Sequence, residues 1–186
     1  FNLDTSQQIT AIENFITMGA AEIITMAFDP SIADACAMAI EAGTYVGCCG
    51  GAPSFEGFSL ATSRDFGAIG AVIGNMLIAW AEEVYPGEAV KTALLLEIAN
   101  ESHLAQSVAV QETLEASDKI EIVYTSEAPE ATVDSGFNFA QEALTTDPDT
   151  RIFLGFTFGQ ALGMNNYICA IDGVDLSKFG VFSQDM

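Results

Sequence analysis

Positive charge is scarce in this sequence of 186 residues. It contains 5 lysine and arginine residues against 26 aspartate and glutamate residues, which gives a net charge of −21. The cations are scattered along the chain, without a basic cluster: Arg64, Lys91, Lys119, Arg151 and Lys178. Nucleic-acid affinity depends on phosphate contacts by lysine and arginine, and a negative protein repels polyanions at long range. We therefore predict no nucleic-acid binding by this segment and a neutral small molecule as the easier ligand.

Histidine is rarer still, because His103 is the only one in the chain. The motifs GxGxxG after a strand, GxxxxGK[ST] and GxSxG are all missing from the sequence, which argues against a dinucleotide site, a P-loop and a nucleophile elbow. His103 lies at a predicted helix start, where we interpret it as a surface or capping residue. The sequence therefore predicts no catalytic residues, no enzyme activity and no cofactor.

Long apolar runs are also missing. A membrane-spanning helix needs roughly 18 consecutive apolar residues, and the nearest stretch, residues 66–81, is interrupted by glycine and polar residues. We predict no membrane insertion by this segment. The chain starts at Phe1 and stops at Met186, and we interpret it as an internal fragment.

Cysteine spacing gives no metal signature. Cys48 and Cys49 are adjacent, Cys36 and Cys169 are remote from them, and no CxxC pair occurs. Structural zinc sites need clustered cysteine or histidine at regular intervals. We therefore predict no metal site and interpret the cysteines as small buried thiols of the core.

Alternation of helical and strand periodicity is what the sequence does contain. Helices are predicted at residues 5–18, 29–41, 65–85, 102–116, 131–145 and 159–167. Strands are predicted at 22–26, 45–49, 58–62, 93–98, 120–125, 151–155 and 178–183. This alternation predicts an α/β fold with parallel sheets that are covered on both faces. In such folds ligands bind beyond the carboxyl ends of the strands.

Several short segments follow one another in a recognisable order. Residues 4–24 contain Asp-Thr-Ser-Gln-Gln, Ile-Glu-Asn-Phe-Ile and Gly-Ala-Ala-Glu-Ile-Ile, and residues 35–46 read Ala-Cys-Ala-Met-Ala-Ile-Glu-Ala-Gly-Thr-Tyr-Val. Asp65 with Gly70, Gln-Ala-Leu-Gly at 160–163 and Val-Phe-Ser-Gln-Asp at 181–185 come later. In this order the segments resemble the sugar-type (type I) periplasmic binding proteins of ABC transporters, such as those for ribose and galactose.

The resemblance implies two Rossmann-like lobes joined by a hinge, both incomplete in this chain. Residues 1–62 would be part of the N-terminal lobe, 63–183 most of the C-terminal lobe, and 184–186 the start of the second hinge crossover. The first strand and helix of the family would be missing, which leaves the first lobe without its central strand, with an exposed edge and uncovered apolar faces. We therefore expect residues 1–62 to be less stable than residues 91–183.

The resemblance also places a ligand site, where most of the family's polar residues are replaced. Met26 stands near the position of an asparagine, Cys49 begins the position of an Asp-Arg pair, and Ser107 lies near the position of an arginine. Thr157 begins the position of an Asn-Asp pair, whereas Asp185 keeps the aspartate of the second crossover.

Four further residues complete the predicted ligand site. Phe28 and Phe156 are candidate stacking faces, with core or loop packing as the alternative. Ser63 lies at the first hinge crossover. Arg64 beside it could clamp a carboxylate, or could pair with a nearby acid on the surface.

By resemblance, the function would be that of a substrate-binding protein of an ABC-type importer. A sugar or similar small polar solute would bind between the lobes, and hinge closure would present the complex to an ABC permease or chemoreceptor. The protein would be extracytoplasmic, in the periplasm or anchored as a lipoprotein. The alternative is the effector-binding domain of a LacI-type transcription regulator, which shares this fold.

Overall fold

The computed structural model describes residues 4–26, 29–49, 57–62, 64–97, 101–127 and 130–184. The chain divides into two compact units, residues 1–65 and residues 66–186. The predicted lobe boundary at residues 62 and 63 stays a prediction, because a compact unit is not by itself a lobe of a particular family.

Unit 1 is a small parallel sheet with two helices. Its elements are α1 (Thr5–Thr17), β1 (Glu22–Thr25), α2 (Ala33–Glu41), β2 (Tyr45–Cys49) and β3 (Leu60–Thr62). The strands pair in the order β1-β2-β3. Asp4 caps α1 by accepting hydrogen bonds from the amides of Ser6 and Gln7 at 3.0 and 3.2 Å. Gly19 and Gly43 follow the two helices with φ of 71° and 87°, a left-handed conformation that glycine adopts without steric cost.

Unit 2 is a larger α/β layer structure. Its elements are α3 (Phe66–Val84), β4 (Val90–Leu96), α4 (Glu101–Glu115), β5 (Ile120–Glu127), α5 (Val133–Thr146), β6 (Ile152–Gly155), α6 (Phe158–Cys169) and β7 (Gly180–Ser183). All strand pairs are parallel, in the order β5-β4-β6-β7. One buried cluster joins the sheet to α3 and α4 through Leu77 and Val110. A second cluster joins the sheet to α5 and α6 through Phe139 and Met164.

The sheet of unit 1 differs from the prediction that both faces are covered. Residues on β1 and β2 alternate between buried and exposed. Ile23 and Val46 pack against the helices, whereas Ile24, Tyr45 and Leu60 are 67–70% exposed. A groove of about 520 Å³ runs over this second face. The general expectation of two covered faces is therefore wrong for this sheet, whereas the uncovered apolar face that the resemblance implies for the first lobe is observed.

The predicted elements are otherwise confirmed, with small shifts of their ends. β4 begins at Val90 rather than at residue 93 because Lys91 and Thr92 pair with β5. The cysteine prediction is confirmed for Cys36 and Cys48, which are buried, and wrong for Cys49 and Cys169, which are exposed.

Helix α3 falls within the predicted helix at residues 65–85 and is apolar along most of its length. It is 19 residues long with a mean hydropathy of 1.2, so by length and composition it could cross a membrane. Its buried stripe instead packs on α4, and a Cβ at Gly70 or Gly74 would overlap Gln106 or Thr113. The prediction that this segment does not insert into a membrane stays a prediction.

Candidate functional site

The candidate site is the edge of each sheet where the parallel strands end at their carboxyl termini. In unit 2, β6 and β7 end together, since Gly155 pairs with Ser183. The residues that follow, Phe156 and Gln184, are therefore neighbours at this edge, and β4 ends beside them. Loops at this edge carry the ligand contacts of open α/β folds because side chains from several strands converge there.

Ser107 lies on α4, and its side chain is 1% exposed. Its hydroxyl donates a hydrogen bond of 3.2 Å to the carbonyl oxygen of Glu97, the residue after β4. This bond fixes the second turn of α4 to the end of β4. The structure thus places Ser107 at the predicted edge, where its hydroxyl proton is donated to a backbone carbonyl oxygen.

Phe156 follows β6 and is 6% exposed. Its ring lies against the imidazole of His103 on α4, with 4.4 Å between ring centroids and a tilt of 39°. His103 is half-buried, and its imidazole contacts this edge through Phe156. The ring of Phe156 is almost fully covered, so the half-buried His103 is the more exposed ring of the pair at this edge.

Thr157 is the N-cap of α6. Its hydroxyl accepts from the amide of Gln160 at 3.3 Å, and the side-chain oxygen of Gln160 accepts from the amide of Thr157 at 3.0 Å. This reciprocal capping box satisfies amides at the start of α6 that would otherwise lack partners. The same oxygen accepts from the amide of Phe156 at 2.9 Å, so one glutamine organises the loop after β6.

Two further glutamines lie at this edge. Gln106 on α4 donates through Nε2 to the carbonyl oxygen of Gln184 at 3.1 Å. The amide of Gln184 donates to the carbonyl oxygen of Gly155 at 3.0 Å. The side chain of Gln184 is different, because neither Nε2 nor Oε1 has a hydrogen-bond partner within the described part of the chain, although both are buried.

In unit 1, the predicted residues lie at the equivalent edge. Met26 follows β1, is 39% exposed, and accepts through its carbonyl oxygen from Nε2 of Gln8 at 2.7 Å. Cys49 ends β2 with an exposed side chain. Arg64 lies two residues after β3 and is exposed. Three predicted residues, Phe28, Ser63 and Asp185, lie outside the described residues.

The charge distribution of unit 2 is polarised, which the scattered positions in the sequence did not reveal. Its four cations all lie at the amino ends of its strands: Lys91 on β4, Lys119 before β5, Arg151 before β6 and Lys178 before β7. Lys119 donates to the carbonyl oxygens of Tyr85 and Glu88, just after α3. The carboxyl edge of unit 2 therefore carries no lysine or arginine from this unit.

The shortest ion pair among the described residues belongs to the amino edge as well. Nζ of Lys91 lies 2.7 Å from Oδ2 of Asp147. The hydrogen bond from Lys91, supported by the amide of Asp149, holds the pKa of Asp147 below its ordinary value of 3.8. The same hydrogen bond raises the pKa of Lys91 above 10.5. These groups stabilise the amino edge of the sheet, which is remote from the candidate site at the carboxyl edge.

Metal-binding chemistry finds no support in the part of the chain that the structure describes. No group of three or more histidine, cysteine, aspartate or glutamate side chains there is arranged to hold an ion. What the carboxyl edge of unit 2 offers instead is amides, hydroxyls and aromatic rings, which bind by hydrogen bonding and stacking.

Sequence reasoning missed the three glutamines and the role of His103. Gln106 and Gln160 lie in predicted helices, where glutamine is ordinarily expected to face solvent. Gln184 gave a weak signal, because it is a polar residue at the end of an apolar strand. Their roles depend on the register of β6 against β7 and on helix placement, which only three-dimensional structure supplies.

Comparisons with known proteins agree on the fold. No family model matches the sequence, and a search of curated proteins finds no match. The myo-inositol binding protein of Caulobacter is 21% identical with a TM-score of 0.74, over 95% of this chain and 59% of that protein. A periplasmic ribose ABC transporter protein of Conexibacter woesei is 24% identical with a TM-score of 0.76, over 90% and 55%.

A third solved structure is the periplasmic binding protein component of an arabinose ABC transporter from a Shewanella species. It is 17% identical with a TM-score of 0.75, over 89% of this chain and 55% of that protein. The chain thus spans 55–59% of the length of these three proteins. They are binding or transporter proteins rather than enzymes, in agreement with the sequence analysis. The chain therefore has the α/β fold, with two parallel sheets, of the type I periplasmic sugar-binding proteins of ABC transporters.

Proposed function

We propose that this chain is part of the substrate-binding protein of an ABC-type importer and that it binds a sugar or similar neutral polyol. The observation that carries the proposal is the chemistry of the carboxyl edge of unit 2. There, the aromatic pair of Phe156 and His103 lies next to buried glutamines, and every cation of the unit lies at the opposite edge.

Within unit 2, the charge distribution favours a neutral ligand over an anionic one. A carboxylate or phosphate needs a cation or a set of free amide donors to offset the loss of its hydration. The capping box occupies backbone amides at the start of α6, since the amides of Thr157 and Gln160 each donate to the side chain of the other residue. A polyol needs only paired donors and acceptors, which amide side chains supply.

The mechanism that we propose is closure of two lobes about a hinge that includes residues 63–65 and 184–186. Closure would bury the ligand between carboxyl edges and exclude water, which strengthens its hydrogen bonds. The chemistry of the ligand is unchanged in this mechanism. The closed form would be recognised by an ABC permease or a chemoreceptor, which places the protein outside the cytoplasm.

The proposal is tested by thermal unfolding of the natural polypeptide that carries this chain, against neutral polyols and matched acids. The panel holds D-ribose, L-arabinose, D-allose, myo-inositol and D-galactose, with D-galacturonate as the charged partner of the last. A ligand at 100 times its dissociation constant stabilises a protein by about 2.7 kcal/mol. We expect a clear rise of the unfolding midpoint with one neutral polyol.

The matched pair separates ligand classes. A rise with D-galacturonate alone would contradict a neutral ligand. A folded protein that responds to no polyol would contradict the importer proposal. Where a polyol raises the midpoint, the variant Phe156→Ala serves as the site control, because it should reduce that response without affecting the amino edge.

A further inference from the structure

Gln184 is the feature of the carboxyl edge that packing alone does not explain. Four glutamines are buried in the described part of the chain: Gln8, Gln106, Gln160 and Gln184. Gln8 binds Thr25 and Met26, Gln160 binds the loop after β6, and Gln106 binds the backbone of Gln184. Only the side-chain amide of Gln184 lacks a partner among the described residues.

A buried amide without partners destabilises the folded state, because its hydrogen bonds to water are lost and not replaced. A methionine or leucine would fill the same space without this cost. The backbone of Gln184 is nevertheless held firmly, by Gly155 on one side and Gln106 on the other. The backbone that carries the amide is therefore held at the end of β7, beside the loop that contains Phe156.

The missing partner can be specified from the chemistry of the amide. Oε1 needs a donor and Nε2 needs an acceptor, and a hydroxyl group can serve as either. A carboxylate would supply acceptors only and would leave Oε1 unpaired. Two hydroxyl groups on neighbouring carbons of a polyol satisfy both atoms at once.

We propose that Gln184 is a ligand-binding residue whose side-chain amide hydrogen-bonds two hydroxyl groups of the bound polyol. The inference rests on the proposed function, and it adds a specificity-determining residue to that site. The amide turns toward the ligand at little cost because it gives up no hydrogen bond in the unliganded protein. Binding thereby removes a defect that the unliganded protein carries.

The test is Gln184→Met, with Gln160→Met as the matched control at a fully paired glutamine. In the unliganded protein, we expect Gln184→Met to keep or raise the unfolding midpoint and Gln160→Met to lower it. With the polyol that shifts the wild type most, we expect titration calorimetry to give a dissociation constant about tenfold or more weaker for Gln184→Met.

The first two outcomes below test the role of Gln184 separately from the importer function, and the third tests both. If Gln184→Met loses stability or fails to fold, the amide has a structural partner and the proposal is wrong. If Gln184→Met binds the polyol as tightly as the wild type, the ligand does not use the amide, while the importer function stands. If the wild type binds no polyol of the panel, both proposals fall together.

Discussion

At the scale of single residues, charge pairing is concentrated at the amino edge of unit 2. Lys91 and Asp147 are partly exposed, at 30% and 22% of their side-chain surface, and lie 2.7 Å apart. Pairing lowers the pKa of Asp147 and raises the pKa of Lys91. Asp147 therefore contributes stability above its unfolded pKa, and Lys91 contributes stability below its unfolded pKa.

We predict that Lys91→Met lowers the unfolding midpoint at pH 7 and that this difference shrinks below pH 3.8, the ordinary pKa of aspartate. The contribution is lost as the pH falls through the lowered pKa of Asp147, because the protonated carboxyl no longer attracts Lys91. Calorimetric scans of both proteins from pH 7 to pH 2.5 measure the effect.

Lys119→Met is the control for this pH series. Lys119 donates to the carbonyl oxygens of Tyr85 and Glu88, which do not titrate, so its effect should persist in acid. A Lys91→Met difference that stays constant down to pH 2.5 would show that the ion pair does not stabilise the fold.

At the scale of elements, the two helix pairs of unit 2 cross closely at glycines. A Cβ at Gly136 on α5 would overlap the carbonyl oxygen of Gln160 on α6, and a Cβ at Gly163 would overlap that of Val133. The close crossing also sets the position of α6, and the loop after β6 leads directly into the first residues of this helix. The glycines thus connect helix packing to the candidate site.

We predict that Gly136→Ala and Gly163→Ala each destabilise the protein by about 1–3 kcal/mol through overpacking. This loss occurs although alanine is favoured over glycine in a helix by about 1 kcal/mol. Urea unfolding measures the change, with Asn75→Ala on the exposed face of α3 as the control expected to be neutral or stabilising. Two unchanged midpoints would mean that α5 and α6 are farther apart than described.

Local hydrophobic periodicity predicts most of the helices and strands, whereas the contacts between them depend on residues far apart in the sequence. Hydrophobic spacing in residues 5–18 or 151–155 is a local property, so the sequence predicts such helices and strands directly. Gln184 and Ser107 could not be assigned in this way, because their hydrogen bonds join residues 78 and 10 positions apart. The gathering of the cations at one edge is equally non-local.

At the scale of the whole molecule, the two units differ in how their sheets are covered. β4 lies between β5 and β6 with a buried cluster on each face. The sheet of unit 1 is smaller, and Ile24 and Tyr45 on its second face are each 70% exposed. Apolar burial is the main source of folding stability, so the second face of unit 1 contributes little of it.

We therefore predict that backbone amides of β2 exchange with deuterium at least about tenfold faster than those of β4 in this chain, because local opening tracks local burial. Mass spectrometry of peptides covering 45–49 and 90–96 measures both rates in one sample. The variant Ile24→Lys is the control: it replaces an exposed apolar side chain and should leave the β2 rate within a few fold. Equal protection of β2 and β4 would mean that something covers the second face of unit 1, and a polar residue at position 24 would then accelerate exchange strongly.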